Sequence, residues 1–126
     1  MAKKDNFFSG RIRSFGDAFR GIWAVLKTQP NFRIQLAAAV AAVSLSVWLQ
    51  ISPLEWVAIV FCCSLVLGAE TFNTVIEILC DKIEPEFDES INKAKDMAAA
   101  AVLIFSIGAL IIGGIIFIPK ITEYLR

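Results

Sequence analysis

Four polar side chains, Glu70, Asn73, Glu77 and Asp81, stand three, four and four residues apart along an otherwise apolar stretch. On an α-helix turning about 100° per residue they fall in one stripe about 80° wide. Carboxylates inside a membrane-length apolar run are costly and by default mark a functional site. A stripe that only fixed helix packing would use Asn, Ser or Thr; several acids repel one another unless a cation or a proton lies among them. Further along stand Lys95 and Asp96, at the start of another apolar run. A lone lysine there reads as an interface residue whose ammonium snorkels to water. Beside the acidic stripe it becomes an anion holder next to carboxylates able to hold a metal, a combination suited to the phosphates of a nucleotide. Glu70 lies two turns deeper than Glu77, roughly 10 Å by helical rise. A group arriving from the bilayer and one arriving from water can therefore meet along the stripe.

The elements that must position these residues follow from the distribution of charge. Of 126 residues 57% are apolar and 19% charged, an apolar excess that disfavours an ordinary soluble domain. Lys+Arg and Asp+Glu balance at 12 each and there is no His, which argues against a nucleic-acid partner and against a His-ligated metal. Apolar residues Phe8, Ile12, Phe15, Phe19, Ile22, Trp23 and Leu26 recur at helical steps while Arg11, Arg13, Asp17, Arg20 and Lys27 take other angles. Residues 6–28 are therefore expected to form an amphipathic helix suited to the headgroup layer of an anionic membrane, the alternative being a helix packed on neighbouring protein. Pro30 ends or kinks it.

Three apolar runs follow, at 34–51, 54–79 and 97–118, each long enough to span a bilayer. Together with the surface helix they use the whole chain, so residues 1–126 read as one all-α integral-membrane domain. Cys62, Cys63 and Cys80 lie in or beside one run and read as free thiols, because adjacent cysteines rarely suit a disulfide. Nothing in the charged N-terminal segment forms the apolar core of a cleavable leader. Residues 1–33 carry seven Lys/Arg, the Ser52 turn none and the segment 80–96 three. The positive-inside rule then places the N-terminus and the 80–96 segment in the cytoplasm, with the Ser52 turn and the C-terminus outside.

The chain has no G-x-x-x-x-G-K-[ST] loop, no glycine-rich dinucleotide fingerprint and no protein-kinase motif set, so any nucleotide site is unconventional. The pattern Glu70, Asn73, Thr74, Glu77 and Asp81, followed by Ala94, Lys95, Asp96, Met97 and the alanines up to Val102, closely resembles the signature of the prokaryotic diacylglycerol kinase family of small membrane lipid kinases. The resemblance extends upstream to Arg20, Gly21, Asn31, Phe32 and Arg33, and so covers most of the chain. The turn 51–56 and the tail 113–120 look more like the undecaprenol kinase branch than the diacylglycerol one.

That resemblance implies an N-terminal surface helix and three transmembrane helices, assembled as a homotrimer with active sites between subunits, in the bacterial inner membrane and facing the cytoplasm. It implies ATP-dependent phosphorylation of the primary hydroxyl of undecaprenol or diacylglycerol, undecaprenol slightly favoured, with Mg²⁺ as cofactor. By the family pattern Glu70 is the general base, Glu77 a Mg²⁺ ligand, Asn73 a polar positioner, and Lys95 a phosphate contact with Asp96 beside it. Asp17, Asp81, Glu86, Phe87 and Asp88 complete the expected nucleotide site, and Arg20, Trp23, Asn31 and Arg33 border the lipid site with Glu70. One position departs: Gln29 stands where the family usually has a second metal-ligating glutamate. Its amide oxygen can ligate Mg²⁺ but brings no charge. The competing reading is a small oligomeric transporter in which Glu70 and Glu77 bind protons or cations. Against it, the outer half of each span lacks the charges a path through the membrane needs. Small residues at 37–42 and 108–114 permit close helix contacts without setting the number of subunits.

Overall fold

The computed structural model describes residues 6–126; residues 1–5, which carry Lys3 and Lys4 of the basic N-terminal segment, lie outside the described residues. The described chain is four helices and no strand: α1 (Phe7–Thr28), α2 (Pro30–Trp48), α3 (Pro53–Ile83) and α4 (Glu89–Tyr124). The last three are each long and apolar enough to cross a membrane.

The break between α1 and α2 is a single residue. Gln29 is extended (φ −109°, ψ 107°) because the residue before a proline is barred from helical geometry, and Pro30 then opens α2 at a position where its missing N–H costs nothing. The α2 helix stops at Trp48, three residues before the apolar run ends. Hydropathy continues through Ile51 because Ile51 folds back into the core, at 6% exposure, from outside the helix. The stop is a Schellman motif: the Gln50 N–H donates to the Val47 carbonyl and the Ile51 N–H to the Ser46 carbonyl. Gln50 takes the left-handed conformation (φ 50°) that glycine usually supplies here.

One residue later Ser52 starts α3 with a capping box. Its hydroxyl accepts from the Glu55 N–H at 3.3 Å, and the Ser52 N–H donates to Glu55 Oε2 at 2.7 Å. Glu55 Oε2 also pairs with Lys120 Nζ at 3.3 Å, and Trp48 stacks edge-on with Tyr124 at 4.8 Å. These contacts gather the α2–α3 turn and the end of α4 at one end of the bundle. Pro119 does not end the third span as the apolar run suggests; α4 continues through it to Tyr124. Proline disturbs only the turn before it, and the residues beyond remain helical.

At the other end the helices outrun the apolar segments. Taking 1.5 Å per residue, α3 is about 46 Å long and α4 about 54 Å, against roughly 30 Å of hydrocarbon. Only residues 84–88 separate them, so Asp81, Lys95 and Asp96 lie on helices rather than in a broad loop. The α3 and α4 helices pack along their length, α2 leans on α3, and α1 touches α2 and α3 only lightly. The buried cluster of Ile51, Ile59 and Ile116 sits towards the turn end, leaving the polar stripe at the opposite end of the interface.

Candidate functional site

The acidic stripe is built by the lower half of α3. Glu70 is 3% exposed, Thr74 3% and Asn73 7%, whereas Glu77 is half-buried and Asp81 exposed. Burial therefore fades along the stripe from the apolar interior towards the polar end. Each polar group has its own arrangement. Gln35 of α2 donates Nε2–H to Glu70 Oε2 at 3.1 Å, joining the two helices across the apolar layer. The Thr74 hydroxyl donates to the Glu70 backbone carbonyl at 2.9 Å. Asn73 donates Nδ2–H to Glu77 Oε1 at 3.2 Å, which orients both side chains along one helix face.

Lys95 reaches from α4 to Asp81, Nζ to Oδ1 at 2.8 Å. This hydrogen bond holds the Lys95 ammonium pKa above its ordinary value, partial desolvation opposing it. Lys95 lies before the apolar segment 97–118, and it remains a cation at any physiological pH. Asp96 beside it is exposed.

Among the described residues two buried oxygens in this region have no hydrogen-bond partner, Asn73 Oδ1 and Gln35 Oε1. Native interiors seldom leave such acceptors unmatched. Asn73 turns its Nδ2–H to the Glu77 carboxylate, and its unmatched Oδ1 is the other arm of the same amide. Among the described residues no three acidic or thiol side chains converge as a complete metal cage. A magnesium ion does not need one: it keeps waters and takes one or two carboxylates together with substrate phosphates. The oxygen donors of Asn73 and Glu77 fit such an ion.

The remaining expected residues are spread more widely. Gln29 sits at the α1–α2 break, its amide donating to the Thr28 hydroxyl at 3.4 Å, with no side-chain hydrogen bond to Glu77. Asp17 and Arg20 are exposed and pair with each other along α1. Trp23 lies under the Lys27 ammonium, 5.8 Å from the ring centre. Asn31 and Arg33 flank the buried Phe32 and are exposed themselves. Glu86 and Phe87 are exposed in the α3–α4 connection, and Asp88 caps α4 by accepting from the Ile91 N–H at 2.9 Å. Within one chain, then, the structure joins Asn73 with Glu77 and Asp81 with Lys95, and leaves Gln29, Asp17 and the 86–88 segment unconnected to them.

Gln35 was not among the residues singled out from the sequence. Its signal was present, a polar side chain one residue into the first apolar run, but a search for charge passes over it. It also borders a partly open apolar cavity of about 500 Å³ between α2, α3 and α4, lined among others by Ala38, Ala42, Cys63, Leu67 and Gly113. That volume lies in the range of small-molecule sites. Through its bond to the cavity-lining Gln35, Glu70 connects this apolar cavity with the line of polar groups on α3. Cys62, Cys63 and Cys80 are all free thiols.

Comparison with known proteins shows the family. Residues 16–117 match the family model described as prokaryotic diacylglycerol kinase. An undecaprenol kinase of Bacillus subtilis is 37% identical over 123 residues, covering 96% of this chain and all of that protein. A diacylglycerol kinase of Escherichia coli is 33% identical over 111 residues, covering 88% of this chain and 91% of that protein. A diacylglycerol kinase of Synechocystis is 32% identical over 111 residues, or 87% of this chain and 63% of its own length.

Proposed function

The chain belongs to the prokaryotic diacylglycerol kinase family and is a membrane lipid kinase that phosphorylates a lipid alcohol; we propose that its acceptor is undecaprenol in preference to diacylglycerol, and that Mg²⁺ accompanies the ATP. The preference rests on the full-length similarity to the undecaprenol kinase. The observation that carries the site is the position of Glu70, a buried carboxylate that connects, through Gln35, an apolar cavity with the polar line Asn73, Glu77, Asp81 and Lys95. A lipid tail belongs on the first side and nucleotide phosphates on the second. Nothing in the fold or the family match favours the transporter alternative.

In the mechanism we propose, Glu70 takes the proton of the lipid's primary hydroxyl as that oxygen attacks the γ-phosphorus. The bond from γ-phosphorus to the bridging oxygen breaks, and ADP leaves. Phosphoryl transfer asks a protein mainly to align alcohol and phosphate and to neutralise charge. Lys95 supplies a cation to the phosphates, and Asp81, paired with it at 2.8 Å, keeps its ammonium directed to the site. Glu77 and the unpartnered Asn73 Oδ1 would hold Mg²⁺, which when bound offsets the charge of the β- and γ-phosphates. Gln29 would be a further, uncharged metal contact, while Asp17, Glu86, Phe87, Asp88 and Asp96 would border the nucleotide and Arg20, Trp23, Asn31 and Arg33 the lipid headgroup.

These groups do not close around one point within a single chain, and this supports a homotrimer whose neighbouring subunit completes each site. Helix α1 is proposed to lie on the inner face of the plasma membrane, with Phe8, Ile12, Phe15 and Phe19 entering the acyl boundary and its basic residues meeting anionic headgroups. Residues 84–88 then face the cytoplasm. The whole of 1–126 acts as one domain. The direct test is transfer of labelled γ-phosphate to undecaprenol and to diacylglycerol offered in parallel in mixed micelles. Labelled undecaprenyl phosphate is expected as the faster product. Faster labelling of diacylglycerol overturns the preference, and no labelling of either lipid overturns the reading.

A further inference from the structure

We propose that Gln35 is the positioning residue of the transfer site, its carboxamide fixing the Glu70 carboxylate from the wall of the apolar cavity. The inference rests on Glu70 being the base. The Gln35 Nε2–H donates to one carboxylate oxygen, Glu70 Oε2, at 3.1 Å, and among the described residues no side chain donates to the other, Oε1. One oxygen is anchored and the other left free to receive a proton. Glutamate has three rotatable side-chain bonds, and at this depth no second polar neighbour holds it; the Thr74 hydroxyl bonds the Glu70 backbone instead. Without the amide the carboxylate would sample several rotamers, and a displacement of about 1 Å at a reacting group costs on the order of a hundredfold in rate.

A purely structural link between α2 and α3 explains the geometry less well. A buried amide kept as glue has both its ends bonded. Here the carbonyl end, Gln35 Oε1, is buried without a partner among the described residues, and the residue lines a cavity that runs on to Ile59 of the isoleucine cluster rather than sitting in close packing. Gln35 therefore offers its donor to the base and leaves its acceptor for a group that the chain does not supply.

The test compares Gln35→Met, which keeps the volume and removes the amide, with Gln35→Asn, which keeps the amide but falls one methylene short. In both, kcat for lipid phosphorylation should fall about ten- to a hundredfold while the KM for Mg·ATP stays within twofold of wild type, because the nucleotide groups are untouched. A kcat within twofold of wild type in both variants overturns the proposal, as does an equal loss in kcat and in nucleotide affinity. Added to Glu70→Gln, Gln35→Met should cause no further loss, since the group it positions is already gone; additive losses overturn the proposal. A spectroscopic measurement stands independent of how the Gln35 variants fold. The chain contains three glutamines, Gln29, Gln35 and Gln50, so side-chain ¹⁵N labelling of glutamine gives few signals to assign. The Gln35 amide signal should move in Glu70→Ala and stay in place in Glu77→Ala; a signal indifferent to Glu70→Ala refutes the contact. Retained turnover in Glu70→Gln would instead refute the base assignment, which separates the two failures.

Discussion

Glu70→Gln is the perturbation that bears most directly on the chemistry. The amide is nearly isosteric with the carboxylate, and its Oε1 can still accept the Gln35 Nε2–H that Glu70 Oε2 accepts at 3.1 Å, so the α2–α3 link survives. What disappears is the ability to take a proton. Removing a general base typically costs about 10²- to 10⁴-fold in rate, equivalent to roughly 3 to 5 kcal/mol of transition-state stabilisation. The structural cost is smaller: the new NH₂ group, at a position 3% exposed, lacks a partner and destabilises the fold by about 1 to 3 kcal/mol. Glu77 and the groups beyond it lie roughly 10 Å or more along the helix, so nucleotide affinity should hold. Turnover is read as labelled phosphate transferred to undecaprenol in mixed micelles, and nucleotide binding by titration of the same preparation. A variant that keeps more than a tenth of wild-type turnover, or that loses nucleotide binding in proportion to turnover, refutes Glu70 as the base.

Glu77→Gln should weaken Mg·ATP, seen as a raised KM for Mg·ATP with the lipid KM unchanged; an effect confined to the lipid would contradict the metal assignment. Gln29→Glu adds an anionic oxygen to the proposed metal shell and should lower the Mg²⁺ concentration for half-maximal activity, whereas a superimposable Mg²⁺ titration would put Gln29 outside that shell. In a background with Cys62, Cys63 and Cys80 replaced by alanine, Glu86→Cys should label with an impermeant thiol reagent only after the inner face is opened, and Tyr124→Cys in intact cells with a permeable outer membrane. Gln50→Gly relieves a left-handed residue at a helix C-terminus and should stabilise the protein by up to about 1 kcal/mol, read as a raised Tm in micelles.

The architecture was legible because its causes are local. Membrane spans follow from long apolar runs, and the α1–α2 break follows from Pro30. The helix ends were not legible, and each difference has a physical origin. Hydropathy reports what tolerates lipid, whereas the backbone stops where its terminal carbonyls find partners. At Gln50 a Schellman turn forms without its usual glycine, so no residue type announced the stop at Trp48. Pro119 suggested an end that α4 does not obey. At the polar end, charge marked where the hydrocarbon stops and said nothing about where the helices stop, which is why Asp81 and Lys95 lie on rigid helices facing each other at 2.8 Å.

The candidate site divides along the same line. Glu70, Asn73 and Glu77 declared themselves because acids at helical spacing in an apolar run need an explanation. Gln35 did not, because an uncharged amide in a span has a ready structural role and only its neighbour, 35 residues away, gives it another. Spacing on one helix can be read from sequence; the partner across the helix interface requires the packing. The residues expected around the nucleotide present the converse case. Asp88 caps α4, Asp17 pairs with Arg20, and Gln29 bonds Thr28, so each is occupied locally within its own chain. Asn73 Oδ1 is occupied by nothing. A site that keeps two unmatched acceptors among the described residues, Gln35 Oε1 beside the base and Asn73 Oδ1 nearer the polar end, while its outer residues are engaged locally, is suited to the shared site proposed above. In the trimer proposed above, one subunit would present the base and the metal oxygens, and the groups that enclose the phosphates would arrive with its neighbour.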